Sequence, residues 1–290
     1  MIWTLTGRHL RIFFRDRMGV FFALLSPLIL FALYKLFLGN IQVNNLKDDW
    51  PAANHDDAQH FVDAWVFAGT LMLTTLTAGL GAMTVFVDDR ASGRFADFVV
   101  SPIRRRDLIL GYSLTSFLIA LSISLFVLVA SQLITVVTGA SLMHPADWLR
   151  CVGSVIVMCA AFSAISGLAV TFTATSGAFS SLSAIVGTFA GFLAMAYIPA
   201  QALPHGVVRV LNWLPFAEAA MLVRGPLTSR SLAALTHGQP QAAATVRANY
   251  GISISLAGHH AAASLIAAVL AAIAIIFAAI GSWRIRRVVA

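Results

Sequence analysis

Residues 88–111 read DDRASGRFADFVVSPIRRRDLILG, a stretch rich in arginine and aspartate. Long apolar runs lie on both sides of it, at residues 61–87 and 108–137. Of the 290 residues 59% are hydrophobic and only 11% are charged, and the mean hydropathy is +0.85. Soluble domains usually carry about 25% charged residues. The stretch is therefore a short polar break in a membrane protein with several spans.

The apolar runs predict six spans and a single all-α membrane domain over residues 1–290. The predicted spans are residues 19–38, 61–87, 108–137, 151–173, 182–203 and 259–283. Residues 1–17 place Arg8, Arg11 and Arg15 on one helical face, which favours an amphipathic helix at the membrane interface. An ordinary basic flank of the first span is the alternative.

Residues 204–258 are the least regular part of the chain. Their apolar pieces are too short to span and are interrupted by prolines, which predicts extracellular re-entrant or interfacial helices. Residues 231–258 are rich in alanine, serine and glycine, and we expect an exposed loop there.

The basic residues predict the orientation. With both termini and residues 88–107 inside, twelve of the nineteen lysines and arginines are cytoplasmic. This distribution obeys the positive-inside rule, so we expect a multi-pass protein of the plasma membrane with both termini in the cytoplasm. The net charge of +7 does not indicate nucleic-acid binding, because the basic residues flank apolar runs.

Within the charged stretch, Asp88 and Asp89 are expected to open a short helix, where negative charge suits the positive N-terminal end. Phe95, Phe98 and Val99 then form an apolar edge at helical spacing, and Pro102 ends the helix. Exposed aromatic side chains on such a helix could dock a soluble domain. A generic positive cytoplasmic loop is the alternative.

The sequence lacks the motifs that are typical of several functional classes. The two lysines, Lys35 and Lys47, do not belong to a phosphate-binding loop, so any ATP must be bound by a partner. All twelve acidic residues lie in predicted loops or at span edges, which argues against an ion-coupled carrier. There is no GxSxG motif, and the histidine spacing does not indicate a metal site.

Small polar residues in the second and fifth predicted spans are the candidates for a substrate path. They share helical faces at spacings of three and four residues, and they are Thr70, Thr74, Thr77, Ser180, Ser183 and Gly187. The alternative is structural, because hydroxyls in helices often bond to carbonyls of their own helix.

The charged stretch resembles the cytoplasmic coupling region of the ABC type-2 permease family. The positions that match the family's pattern are Asp88, Asp89, Gly93, Phe98, Val99, Pro102, Arg105 and Gly111. Phe98-Val99 departs from the usual aliphatic pair, and Tyr112 stands where a lysine often follows the last glycine. A second similarity lies at Leu214-Pro215, Glu218 and Arg224-Gly225, before the last span.

This resemblance implies the fold of a type V exporter and a permease subunit without enzymatic activity or a cofactor of its own. ATP and magnesium would be bound by separate ATPase subunits, which would dock on Arg94, Phe95, Asp97, Phe98, Val99, Pro102 and Arg105. A second copy or a similar permease would complete a dimer among membrane lipids. The substrate would be a drug, a lipid or a glycoconjugate. The competing hypotheses are an ion-coupled carrier or channel without an ATPase, and an intramembrane enzyme or scaffold.

Overall fold

The computed structural model describes residues 2–50, 53–94, 105–253, 255–256 and 259–288. Five residues predicted to contact an ATPase lie outside this part of the chain: Phe95, Asp97, Phe98, Val99 and Pro102.

Within the described residues the chain forms twelve α-helices and one short antiparallel strand pair. The helices are α1 (Ile2–Arg15), α2 (Arg17–Phe37), α3 (Gly39–Asp49), α4 (His55–Ala82), α5 (Thr84–Ala91), α6 (Arg105–Val137), α7 (Pro145–Ala169), α8 (Ser176–Leu193), α9 (His205–Leu211), α10 (Pro215–Leu235), α11 (Pro240–Asn249) and α12 (Ala263–Val288). The strands are β1 (Ser255–Leu256) and β2 (His259–His260).

Among the described residues, six segments are long and apolar enough to cross a membrane, which confirms the predicted all-α fold with six spans. In chain order, spans 1 to 6 are Arg17–Phe37, His55–Ala91, Leu110–Val137, Pro145–Phe172, Ser176–Leu193 and Ala263–Arg284. The helices α9 and α10 form a further bent pair, with an angle of 88° between them.

Span 2 lies at the centre of the described fold. Of the 18 most apolar consecutive residues of span 2, 72% are buried. The corresponding fraction is 17% in spans 1 and 5 and 11% in span 6. Its first helix, α4, packs against spans 3 and 4 and against α10. Spans 1, 5 and 6 therefore present most of their apolar surface to lipid or to another protein.

A break divides span 2 into α4 and α5. The backbone N–H of Met83 bonds to the carbonyl of Leu80, one residue closer than in an α-helix. The carbonyl of Gly79 accepts a hydrogen bond of 2.9 Å from the hydroxyl of Ser116 on span 3. A buried polar group is thus paired beside the break, as burial in an apolar interior requires.

The boundaries of the fifth span differ from the prediction. The helix covers Ser176–Leu193 rather than residues 182–203. It begins early because the hydroxyl of Thr175 caps it by accepting from the N–H of Ala178, so the small residues that follow Thr175 belong to its first turns. It ends early because Met195 adopts the left-handed conformation, with φ of 53°.

The exposed loop expected over residues 231–258 is also wrong. The helix α10 continues to Leu235, α11 follows, and Tyr250 is buried against Phe61 and Trp65 of span 2. The alanine-rich composition hid this packing, because only a few large apolar side chains anchor the segment. The last helix begins at Ala263, after the strand pair, and not at residue 259.

Candidate functional site

The start of the charged stretch bonds to α1, to α6 and to the connection between spans 4 and 5. We call Asp88, Asp89 and Arg90, near the end of α5, the DDR segment. Asp88 accepts a hydrogen bond from the hydroxyl of Ser176, the first residue of α8. Arg90 donates to the carbonyl of Thr173, which follows span 4, at 3.0 Å. The DDR segment therefore contacts the connection between spans 4 and 5 at two points.

Asp89 is the buried member of the DDR segment, with no exposed surface. Its carboxylate accepts from both terminal nitrogens of Arg8 in α1, at 3.1 and 3.4 Å. It also accepts from Arg94 at 2.9 Å and from the hydroxyl of Tyr112 in α6 at 2.6 Å. Charge-assisted bonds of this kind are shorter and stronger than neutral ones. Asp89 thereby joins α1, α5 and α6.

The helix α1 fits closely against the first turns of span 3. The imidazole of His9 stacks on the ring of Tyr112, with centroids 4.2 Å apart. A Cβ added at Gly111 would lie 3.1 Å from the Cβ of Leu5, so any larger residue would push Leu5 back by a few tenths of an ångström. The hydroxyl of Thr6 donates to the carbonyl of Gly111 at 3.4 Å. The interfacial helix is therefore fixed by steric fit as well as by charge.

The contacts of α1 set the protonation of two of its side chains. The hydrogen bond to Asp89 raises the pKa of Arg8 above its usual value. Burial, followed by the nearby charge of Arg8, lowers the pKa of His9 to about 4. A nitrogen of Arg8 lies 3.0 Å from Nε2 of His9, and it can donate there only when the imidazole is neutral. Docked α1 therefore holds a neutral histidine.

Acidification is expected to loosen α1. Between pH 6.5 and about 4 the undocked His9 takes up a proton that the docked one does not, so docking weakens as the pH falls through this range. The loss would reach at most about 3 kcal/mol, from the size of the pKa shift. Arg8, Asp89 and Tyr112 face the imidazole and set its surroundings. Hydrogen exchange of α1 at pH 7.5 and pH 5 measures the effect.

The matched control is His9→Phe, which keeps a flat ring against Tyr112 but cannot titrate. Its α1 protection should vary far less between the two pH values. If His9→Phe and the wild-type protein show the same pH dependence, the histidine is not the cause.

The predicted coupling residues are placed only in part. Arg94 is exposed and bonds to Asp89, and Arg105 begins α6. The role expected for Asp88 and Asp89 is wrong, because they lie in the last turns of α5 and not at the start of a helix. Arg8 and Arg94 compensate the charge of Asp89 there, while Asp88 accepts from the hydroxyl of Ser176. Sequence reasoning also missed Arg8 as the partner of Asp89, although its basic helical face was a signal.

A cleft of about 320 Å³ lies between spans 1, 2 and 5. It brings together five of the six residues predicted for a substrate path: Thr70, Thr74, Thr77, Ser183 and Gly187. Ser180 lies outside this lining and is exposed. Ser26 and Pro27 of span 1 form the third wall, which the sequence did not indicate.

The hydroxyls of the cleft follow the alternative interpretation in part. Thr74 donates to the carbonyl of Thr70 at 2.8 Å, and Thr77 donates to that of Leu73 at 2.9 Å. By contrast, Oγ of Ser183 is buried and has no hydrogen-bond partner among the described residues. The hydroxyl hydrogens of Thr74 and Thr77 are thus occupied, while their oxygen atoms keep lone pairs.

A second, larger cleft of about 670 Å³ lies between α1 and spans 3, 4 and 6. Its lining is almost wholly apolar, with Ser113 and Ser163 as its hydroxyl-bearing residues. Such a surface matches hydrocarbon and offers few groups that could orient a polar ligand. The smaller cleft is therefore the better candidate for a specific site.

Arg224 of α10 holds the far end of span 5. Its side chain is fully buried, and it donates to the carbonyls of Met195 at 2.7 Å, Ala194 at 3.0 Å and Gly251 at 3.3 Å. Carbonyls at the end of a helix carry partial negative charge, which suits a cation. Gly251 has φ of +62°, and a Cβ there would lie 2.9 Å from the guanidinium, so this position favours glycine.

The same guanidinium lies over the ring of Trp65 in span 2, 5.2 Å from its centre. The indole N–H of Trp65 donates to the carbonyl of Tyr250 at 2.8 Å. Arg224 therefore joins span 2, the end of span 5 and the segment after α11. It fixes the end of the helix that lines one wall of the cleft.

Spans 1 and 2 are joined by an ion pair near their shared loop. Nζ of Lys35 lies 2.7 Å from a carboxylate oxygen of Asp63, whose other oxygen accepts from Gln59 at 3.0 Å. The sequence placed Lys35 and Asp63 at span edges but did not indicate that they pair. The ion pair holds span 1 beside span 2, and these two spans form two walls of the cleft.

The chain matches a known protein family. A model of the ABC-2 family of transporter proteins matches residues 38–283. This range includes spans 2 to 6, the DDR segment and Arg224. A search of curated proteins finds no match. The family match and the six-span helical fold agree, and the chain belongs to the ABC-2 transporter family as a membrane-embedded permease subunit.

Proposed function

We propose that this subunit exports an amphipathic substrate from the cytoplasm, through the cleft between spans 1, 2 and 5. A separate ATPase subunit binds ATP and magnesium, docks on residues 88–107 and supplies the energy. The substrate belongs to the drugs, lipids or glycoconjugates. The protein acts in the plasma membrane with both termini in the cytoplasm, and the chain itself performs no hydrolysis.

The DDR segment is the observation that carries this proposal. Asp88 contacts Ser176, where α8 begins, and Gly187 on the same helix lines the cleft. Eleven helical residues separate the two positions, a distance of about 16 Å along the axis. A displacement of the charged stretch would be passed along α8 to the cleft, since a packed helix moves as a rigid body. Asp89 would carry α1 with it.

The surface of spans 1 and 5 supports a dimer. Both spans are little buried, and Phe21, Phe22, Ile185, Phe189 and Phe192 are exposed on them. Clusters of exposed apolar side chains mark contacts with lipid or protein. A second copy, or a similar permease, would cover this face and close the cleft.

Substitution of Gly187 by leucine tests the cleft. A Cβ at this position would already lie 3.3 Å from Cγ2 of Thr77, so the larger side chain must occupy the cleft. ATP-dependent export in proteoliposomes should fall roughly tenfold or more, in line with an overpacking cost of about 1–3 kcal/mol. Binding of the ATPase subunits should persist, because the DDR segment is untouched.

The matched control is Gly153→Leu, at an exposed glycine of span 4 where a Cβ meets no atom within 4 Å. Its export should equal that of the wild-type protein. Full export by Gly187→Leu would overturn the transport role of the cleft. Export without any ATPase subunit would instead favour a carrier or channel.

A further inference from the structure

The cleft between spans 1, 2 and 5 is lined by hydroxyl groups and by no charged side chain of the described chain. We infer that it selects uncharged hydrogen-bond donors, so that it takes the hydroxyl-bearing head group of a neutral amphiphile. This inference rests on the proposed function and names the substrate class of the same site.

Three of the four threonines in the lining, all but Thr70, are restricted to accepting hydrogen bonds. A hydroxyl has one hydrogen to donate and two lone pairs. Thr74 and Thr77 give that hydrogen to carbonyls of span 2, and Thr188 gives its own to the carbonyl of Ala184 at 2.9 Å. Their oxygens can therefore bind only a ligand that donates.

Span 1 forms the opposite wall with Ser26 and Pro27. The hydroxyl oxygen of Ser26 offers lone pairs to a donating ligand. Two facing walls thus carry hydroxyl oxygens.

Ser183 supplies the complementary group. Its Oγ is buried, lines the cleft and has no partner in the described part of the chain. A buried hydroxyl without a partner carries a desolvation penalty, which a ligand hydroxyl would remove by accepting and donating there. An alcohol fits this arrangement better than an ether or a carbonyl, because it can meet donors and acceptors together.

The same lining argues against a charged head group. An ion moved from water into a low-dielectric site costs several kcal/mol unless an opposite charge pairs with it. The cleft volume of about 320 Å³ is at the lower end of small-molecule sites. It therefore suits one compact polar head, with the alkyl chain left toward the lipid.

The test uses the full chain in lipid nanodiscs and a photoactivatable alkyl glucoside as the probe. Octyl glucoside competes as a donor-bearing ligand, its permethylated form as the same ring without donors, and octyltrimethylammonium as a cation. Octyl glucoside should compete with the probe and reduce labelling of spans 2 and 5. The permethylated glucoside and octyltrimethylammonium should compete roughly tenfold more weakly.

Substitutions separate the hydroxyl chemistry from the fold. The double substitution Thr74→Val with Thr77→Val should weaken competition by octyl glucoside roughly tenfold. Competition by the permethylated form should be unchanged. The control is Thr75→Val on the same helix, because the hydroxyl of Thr75 bonds to the carbonyl of Met72 and does not line the cleft. Thr75→Val should retain wild-type competition.

Equal competition by the permethylated glucoside, or tighter binding of the cation, would overturn the donor inference. Unchanged competition in the double valine variant would overturn it as well. None of these outcomes involves the ATPase, so the Gly187→Leu export measurement decides the proposed function separately. Loss of export in that variant, together with no donor preference, would retain the function and reject only the substrate class.

Discussion

Replacing Asp89 by asparagine is expected to detach α1 and to abolish energy coupling. Asparagine keeps the shape and one acceptor, but it turns an N–H donor toward Arg8, Arg94 or the hydroxyl of Tyr112. Removing one partner of a buried ion pair costs about 3–5 kcal/mol. Arg8 and Arg94 keep exposed fractions of 36% and 55%, so solvent reduces this to about 1–3 kcal/mol.

Two measurements separate docking from general folding in this variant. Limited proteolysis should cleave α1 faster, while export in proteoliposomes with the ATPase subunits should fall more than the yield of inserted protein. A double-mutant cycle with Arg8→Met should show that the two changes together cost less than their sum. The control for α1 docking is Asp88→Asn, because the hydrogen bond of this exposed residue goes to Ser176 and not to α1. Its α1 protection should equal that of the wild-type protein. Wild-type α1 protection and export in Asp89→Asn would refute this role.

Replacing Arg224 by methionine is expected to destabilise the far end of the bundle. Methionine is similar in length but leaves the carbonyls of Ala194, Met195 and Gly251 without their donor. Buried carbonyls that lose a partner cost about 1–3 kcal/mol each, so a total loss of about 3–5 kcal/mol is expected. Thermal unfolding in nanodiscs should show a clear fall in the transition temperature.

Lysine at this position should recover only part of that loss. Its ammonium donates from a single point, whereas the guanidinium of Arg224 reaches carbonyls of two segments and lies over Trp65. The matched control is Arg209→Met, an exposed arginine of α9, whose effect should stay within about 0.5 kcal/mol. Equal stability of Arg224→Met and Arg209→Met would contradict the anchoring role.

The sequence predicted the spans because membrane hydrocarbon imposes length and composition on them directly. It failed where short-range chemistry decides a boundary. Thr175 caps α8, which begins six residues before the predicted start, and Met195 ends it where the apolar run continues. A hydropathy pattern contains neither the cap nor the left-handed residue.

The candidate site was predictable on one helix at a time. Helical spacing grouped Thr70, Thr74 and Thr77 on one face, and that face does line the cleft. Pairings between distant elements could not be read in this way, since periodicity says nothing about which faces meet. The pairing of Arg8 with Asp89 is of this kind, and the edge formed by Phe95 and Phe98 stays a prediction.

The ion pair between Arg8 and Asp89 has a consequence for how the protein is synthesised and inserted. Arg8 and Asp89 are 81 positions apart in the chain. Thr6 and Gly111, whose carbonyl accepts the hydrogen bond of the threonine, are 105 positions apart. At 5–20 residues per second, the ribosome needs roughly 4–16 s to add the first of these partners. During that time α1 has no docking site, and we expect its exposed Arg11 and Arg15 to keep it on anionic lipid headgroups. The helix can dock only after the start of span 3, with Gly111 and Tyr112, has also been made.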